Sequence, residues 1–510
     1  LDCHRDDYQP HQTGVIMHAD AIAFVQAALA VIRRSRDFSH ALRRSRFLGE
    51  LLWKNNIGCY QLIELEQYLI AHYANQFEAI VAGIEPMTAP SSTTQYLHVL
   101  TKAYDTGGHT RVVERLIGSA ALAESAVLVS ESVAANSQAK LARAKLGLLR
   151  LRQRSAGVAR TTEFLQCFAR FEVIVLHIHP HDIEAVFAAA LAKRQWGRKI
   201  LLYNHADHVF SFGYAVADRV LELGHFGWAL RAQRHTGERA CFVGIPLPLN
   251  PVGPNERGPR ESKPEPSAQT GPHAASGCLI SSGAAYKFKP NRRYSFPAFA
   301  RTLTQHCPLP LLLIGPTLLR NPWWWRSAIA AGKQIRFRKT MPHAEYLQTL
   351  RQARAYIDSF PVTGGTSFPE ILSLGVPCFG VLTGAHGYSP ADQLKSANLP
   401  ELLAHLRQFL AGANPVQANG EPILAQLAMA HGLEQVAERI AAAADSANPL
   451  TSPPWHNPQA IDHHFYERDW LAQKIFSPTL HSLPDWRIGG DFIRFWLRQR
   501  FGRKAADAPV

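Results

Sequence analysis

Apolar residues recur at spacings of three and four in AIAFVQAALAVIRR, FLGELLWKNN and CYQLIELEQYLIAHYANQFEAIV, which predicts helices throughout residues 12–85. A Pro- and Ser-rich loop, MTAPSSTT at 87–94, closes that region. Short apolar runs then alternate with helical ones: QYLHVL, VVERLIGSAALA, AVLVS, a helix near 136–153, FEVIVLHIH, EAVFAAALAKRQ, KILLYNH and RVLEL. Alternation of this kind predicts a parallel sheet covered on both faces. From 250 to 276 the composition falls to Pro, Gly and charge, the signature of a flexible loop with no means of building a core. A second alternating block follows in GCLISSG, LPLLLIGP, KQIRFRK, ARAYIDSF and VPCFGVL, with helices such as HAEYLQTLRQA and SFPEILSLG between.

The expected architecture is α/β, with two doubly wound Rossmann-like domains facing a cleft after a helical N-terminal region. The boundaries follow the composition: 1–90 helical, 91–249 the first domain, 250–276 the loop, 277–445 the second domain, and 446–510 a helical, aromatic and basic extension. No repeat of 20–50 residues is present. Ligands of such folds bind outside the carboxyl ends of the strands, so loops that follow strands are where chemistry is sought.

Composition narrows the partners. The 510 residues are 46% hydrophobic and 18% charged, a globular balance, and the formal charge of +14 favours anionic ligands. The basic residues are scattered and form no recognised nucleic-acid module, so nucleic acid is not an expected partner. Seven dispersed cysteines without a CxxC pair suit reduced thiols, and a cytoplasmic location is expected. The segment Val15 to Ile32 is interrupted by His18, Asp20 and Gln26, so it reads as an amphipathic helix and not a membrane span. The terminal FIRFWLRQRFGRK reads as a basic amphipathic helix docked on its own domain, with peripheral contact at the cytoplasmic face of a membrane as the other reading.

One stretch carries the most chemistry. After the strand ARAYIDSF come Thr363, Gly364, Gly365 and Thr366, then a helix opening at Ser367–Pro369 with Glu370 in its first turn. Glycines let backbone N–H groups approach a ligand and a helix start favours negative charge, so this is a candidate diphosphate site. Glu370 would repel phosphate but suits the hydroxyls of a ribose or a sugar, and the pair of chemistries fits a nucleotide-sugar. Gly107 and Gly108, in YDTGGHTR, offer a second close backbone approach, and Lys287 and Lys289, in ISSGAAYKFKP, offer charge for a leaving diphosphate. His205, Asp207 and His208 follow the strand KILLY, where a His beside a carboxylate can serve as general base.

VLHIHPHD, with His177, His179, His181 and Asp182 after the strand FEVIV, opens a rival: His177, His179 and Asp182 with His205 and His208 could form the site of a metal-dependent hydrolase. That reading leaves TGGTSFPE and YKFKP without work. Trp323, Trp324 and Trp325 suit either sugar stacking or the cover of a core. A catalytically silent nucleotide-sugar or glycan-binding protein is a third class.

Over about residues 95–440, the two alternating blocks and the segments YDTGGHTR, YKFKP and TGGTSFPEILSLGVP resemble glycosyltransferases of the two-Rossmann-domain GT-B type, including the group 1 enzymes. The DTGG run is similar to the glycine loop of sucrose-synthase-like transferases. NHADHVFSFG is similar to a stretch in bacterial enzymes related to the adhesin N-glucosyltransferases. The resemblance implies a bacterial enzyme that takes a sugar from a nucleotide-sugar, UDP-linked, to a protein or polysaccharide acceptor, with no cofactor and no bound metal. It implies that Gly107 and Gly108 approach the donor phosphates, that Lys287 or Lys289 contacts them, and that Thr363 to Thr366 cradle them. Glu370 would hold donor hydroxyls, and His205 or His208 would lie on the acceptor side. Many retaining members carry a second Glu eight residues before the helix Glu; here that position is Val362, which leans the expectation toward inversion.

Overall fold

The computed structural model describes residues 19–87, 93–105, 108–249, 277–412, 415–445, 447–462, 464–466 and 485–502. Gly107, residues 12–18 of the first helical stretch and the 250–276 loop lie outside them.

The first sheet contains β1 (Tyr96–Leu100), β2 (Ser125–Val129), β3 (Leu148–Arg150), β4 (Val173–His177), β5 (Lys199–Tyr203), β6 (Arg219–Glu222) and β7 (Ala240–Phe242), in the order β3-β2-β1-β4-β5-β6-β7. The second contains β8 (Leu279–Ser282), β9 (Leu311–Ile314), β10 (Ile335–Arg338), β11 (Ala355–Ile357) and β12 (Cys378–Phe379), in the order β10-β9-β8-β11-β12. Every pairing is parallel. Both orders reverse direction beside their first strand. The switch points therefore lie between β1 and β4 and between β8 and β11, where doubly wound sheets open a crevice. The expected pair of Rossmann-like domains is what forms.

β1, β2 and β4 are buried at every residue, because helices cover both faces and leave no polar side to alternate with. Two elements differ from expectation. The helix near 136–153 stops at Leu141, and Leu148–Arg150 is edge strand β3. Gly147, at φ 92°, takes a left-handed turn that ends the helical path and starts the pairing of Leu148 with Val127. β7, three residues long, is too short to show a period in the sequence.

The helix Ile183–Trp196 is apolar on nearly all sides because it lies between the sheet and the N-terminal helices. Phe187 meets Phe38 at 4.8 Å and Phe77 at 5.5 Å, so the helical region and the first sheet share one core. Late segments return to the same domain. Leu427, Val436, Ala437 and Ile440, from helices Pro415–His431 and Leu433–Ala444, pack with Tyr96, Val173 and Leu221. The helix Trp486–Gly502 sets Phe492 and Phe495 against Phe24, and Arg44 pairs with Asp485 at 2.9 Å. Ile488, Phe492 and Phe495 of this basic helix are thus buried inside the protein, whereas Trp486, Ile493 and Leu497 are exposed. Among the described residues, no helix is long and apolar enough to cross a membrane.

Candidate functional site

The two carboxyl edges face each other at close range. The amide of His225, after β6, donates to the carbonyl of Gly387, after β12, at 2.7 Å. A Cβ on Gly224 would stand 2.6 Å from that carbonyl oxygen, so glycine is required for the approach. An aromatic cluster of Tyr60, Phe226, Val362, Tyr388, Phe465 and Tyr466 fills the junction. Val362, where a second carboxylate would stand, is one of its buried members.

On the second domain the structure brings three loops together. Lys287 follows β8, and its ammonium donates to the carbonyl of Thr363 at 3.0 Å, which joins YKFKP to TGGT. Burial pulls this ammonium below the ordinary lysine value, against the favourable field of Asp358. The Thr363 hydroxyl donates to the carbonyl of Ala385 at 2.6 Å and so serves the loop itself. Gly364 donates its amide to Asp358 Oδ1 at 2.9 Å, and a Cβ there would meet the same oxygen at 2.6 Å. A Cβ on Gly365 would press on the Tyr388 ring at 3.0 Å. The amides of Gly365, Thr366 and Ser367 make no hydrogen bond among the described residues.

Behind this loop lies an ion triad that sequence reasoning missed. Lys395, about 1% exposed at its side chain, stands 2.9 Å from Asp358 and 2.7 Å from Asp392. Asp392 also accepts from the amides of Gly387 and Tyr388 at 2.8 and 3.0 Å. Burial alone would raise the Asp392 carboxyl, but Lys395 and these amides override it and hold it below the usual range. Burial would lower Lys395, and the two carboxylates override that as well. The triad fixes the TGGT loop and the Gly387–Tyr388 turn relative to each other.

Glu370 is buried and engaged across the cleft. It bonds Arg115, lies 3.5 Å from Arg111, and has His343 Nε2 at 3.7 Å. Arg111 and Arg115 lie on the helix Gly108–Leu116, one turn apart on the same face. Their spacing after the YDTGG run was the available signal. Gly108 opens that helix with open space around it. Lys289 lies over the Trp323 ring at 6.0 Å. Trp324 is fully buried among Phe288, Phe296 and Phe337, whereas Trp325 is 53% exposed, so the three tryptophans divide between core and surface.

On the first domain, Asp207 is buried and its Oδ1 lies 3.1 Å from His208 Nδ1. The His208 ring meets that of Tyr466 at 4.5 Å, tilted by 34°, and Tyr466 is hydrogen-bonded to Tyr388 beside the TGGT loop. His205 lies in a different row of histidines, bonded to His177 and with its ring 4.1 Å from that of His109 at a tilt of 33°. Both ring nitrogens of His177 are engaged by imidazoles. Asp182 caps its helix through Ala185 and accepts from Thr101 at 2.6 Å. Among the described residues, no group of three or more His, Cys, Asp or Glu side chains is placed to hold a metal ion.

No family model matches the chain, and no curated protein matches it. Among solved structures, it is similar to HepE of Anabaena in complex with UDP and glucose, at 11% identity over 68% of this chain and 98% of that one, with a TM-score of 0.48. A glycosyltransferase of Rickettsia africae gives 11% over 68% and 97%, with 0.47. A mutant O-GlcNAc transferase of Thermobaculum terrenum gives 14% over 83% and 82%, with 0.45. Likenesses at these scores carry no argument, and the two doubly wound sheets stand on their own strand order.

Proposed function

We propose that the chain is a glycosyltransferase that moves a sugar from a UDP-linked nucleotide-sugar to a protein or glycan acceptor, with inversion and without a bound metal. One observation supports it most. The Lys287 ammonium is bonded to the carbonyl of Thr363, in the same loop as the unbonded amides of Gly365, Thr366 and Ser367, and both segments follow the strands that flank the switch point of the second sheet. Donors aimed at one place stabilise charge as it develops on a leaving diphosphate, which is the task a bound metal performs elsewhere.

Glu370 takes donor hydroxyls in this reading. A carboxylate has about four lone-pair sites, so it can accept a hydroxyl while Arg115 and Arg111 remain beside it. Those arginines come from the opposite domain, which supports a donor site completed by both. Inversion is supported by Val362: an apolar residue packed among aromatics offers no second carboxylate on the donor side. The base then comes from the first domain, with His205, Asp207 and His208 as candidates.

A thermal-shift screen over nucleotides and nucleotide-sugars tests the donor half. UDP and a UDP-sugar should raise the melting temperature in wild type and fail to do so in Lys287→Ala. Incubation with radiolabelled donor, with and without acceptor, separates an enzyme from a silent binder; slow hydrolysis of donor is the minimum expected. Chelation should leave the activity intact. A loss restored by zinc would return the hydrolase reading.

A further inference from the structure

The first sheet carries a row of imidazoles whose purpose the donor site does not explain. His98 on β1 and His177 at the end of β4 are fully buried, and His205 follows β5 by two residues. β1, β4 and β5 are neighbours in the sheet. His98 pairs with Val175, so His177 stands on the same face, nearer the carboxyl edge. His98 Nδ1 lies 3.0 Å from His177 Nε2, and His177 Nδ1 lies 2.9 Å from His205 Nε2. The row slants from the interior of the sheet to the cleft.

Its inner end sets a direction. Ser125 Oγ lies 2.6 Å from the carbonyl oxygen of Leu122 and 3.3 Å from His98 Nε2. A carbonyl only accepts, so the hydroxyl proton is committed to Leu122 and Ser125 Oγ accepts from His98 Nε2–H. His98 Nδ1 then accepts from His177 Nε2–H, and His177 Nδ1 accepts from His205 Nε2–H. His205 Nδ1 is left with a lone pair and has no hydrogen-bond partner among the described residues.

We propose that His98 and His177 are positioning residues that lock His205 in its Nε2–H tautomer, Nδ1 toward the cleft, so that His205 takes the acceptor's proton. This rests on the transferase reading above. In the step, the proton of the acceptor O–H or N–H passes to His205 Nδ1, and the freed electron pair forms the bond to the anomeric carbon. The bond from that carbon to the diphosphate oxygen breaks, and its pair leaves on the diphosphate. The imidazolium keeps its Nε2–H on His177 Nδ1, a hydrogen bond that strengthens with the charge. The titratable groups facing His205 are His109, His177, His179 and Tyr203, with no carboxylate among them. Burial holds His177 and His205 well below the ordinary imidazole value, so both are neutral at pH 7.

Imidazole proton–nitrogen correlation spectra of the full chain, labelled with nitrogen-15 in histidine, read the tautomers directly. Nε2–H is expected at His98, His177 and His205, and an Nδ1–H at His205 overturns the proposal. This readout needs no activity, so a chain that binds no nucleotide-sugar would sink the transferase reading separately. In turnover, His177→Leu should lower kcat about 10²-fold with donor KM kept, and move the acid limb of the pH profile lower because the imidazolium loses its acceptor. His177→Gln, whose amide oxygen can accept from His205, should recover most of that loss. Equal losses in the two variants, or a larger loss from His208→Ala than from His205→Ala, would also overturn it.

Discussion

The two edges that meet at the cleft solve the same problem with opposite means. The first domain lines its edge with imidazoles that burial keeps neutral, joined ring to ring from Ser125 to His205. The second lines its edge with fixed charge, a lysine held between two aspartates behind a loop with three amides that make no hydrogen bond among the described residues. The first arrangement can accept a proton and carry no charge at rest. In the second, the neighbouring carboxylates hold Lys395 in its charged form and Lys395 holds Asp392 in its own, so the pair offers a constant field. A displacement reaction needs both, a base that changes state and a counter-charge that does not.

Acid should separate the two edges with the largest effect. His98 is pushed down to about 4 in the fold, and His177 also lies well below its ordinary value. The unfolded chain binds these protons at about 6.5, so the folded state loses stability as pH falls through the window below that value. The loss approaches ~1.4 kcal/mol per pH unit for each fully buried ring. The Asp392 carboxyl, depressed in the fold, gives up its contribution only below about pH 4. Hydrogen exchange at pH 7 and pH 5 should therefore show β1 and β4 losing protection before β11 and β12; equal loss would break the comparison. Next in size is Lys395→Met, which leaves two buried carboxylates without a cation and should cost about 3–5 kcal/mol in urea unfolding.

Lys287→Ala should spare the fold and lower turnover about 10²–10³-fold, measured as kcat/KM for the donor. Glu370→Gln keeps the shape and removes the charge opposite Arg111 and Arg115. It should weaken donor binding by about 1–2 kcal/mol, read by calorimetry, and unchanged affinity would remove Glu370 from the donor site. The smallest effect is expected at Trp325→Ala, within about 0.5 kcal/mol of wild type, since the ring is half exposed.

The alternation of apolar runs made the two sheets legible because strands buried on both faces need no polar partner positions. β3 and β7 were not legible, being three residues each and supported by neighbours more than by their own pattern. Within the site, Lys287 and the TGGT loop were readable from their place after strands, and they do meet. The Asp358–Lys395–Asp392 triad was not, because its members lie up to 37 residues apart and only the β11–β12 pairing brings them together. His98 was hidden for the opposite reason: a single His inside YLHVL looks like an interruption of a strand until its neighbours across the sheet are known. Glu370 was singled out for its charge, but its arginine partners sit on the other domain.

The contact of Arg44 with Asp485, together with Phe24 against Phe492 and Phe495, has a consequence for biosynthesis. The partners are separated by 441 residues. On a ribosome adding about 5–20 residues per second, the early helices wait tens of seconds for the segment that covers their apolar face. During that interval Phe24 and its neighbours are open to chaperones and to other nascent chains. A shortened transcript that omits the last helix should yield a protein with its second domain folded and its first prone to aggregate.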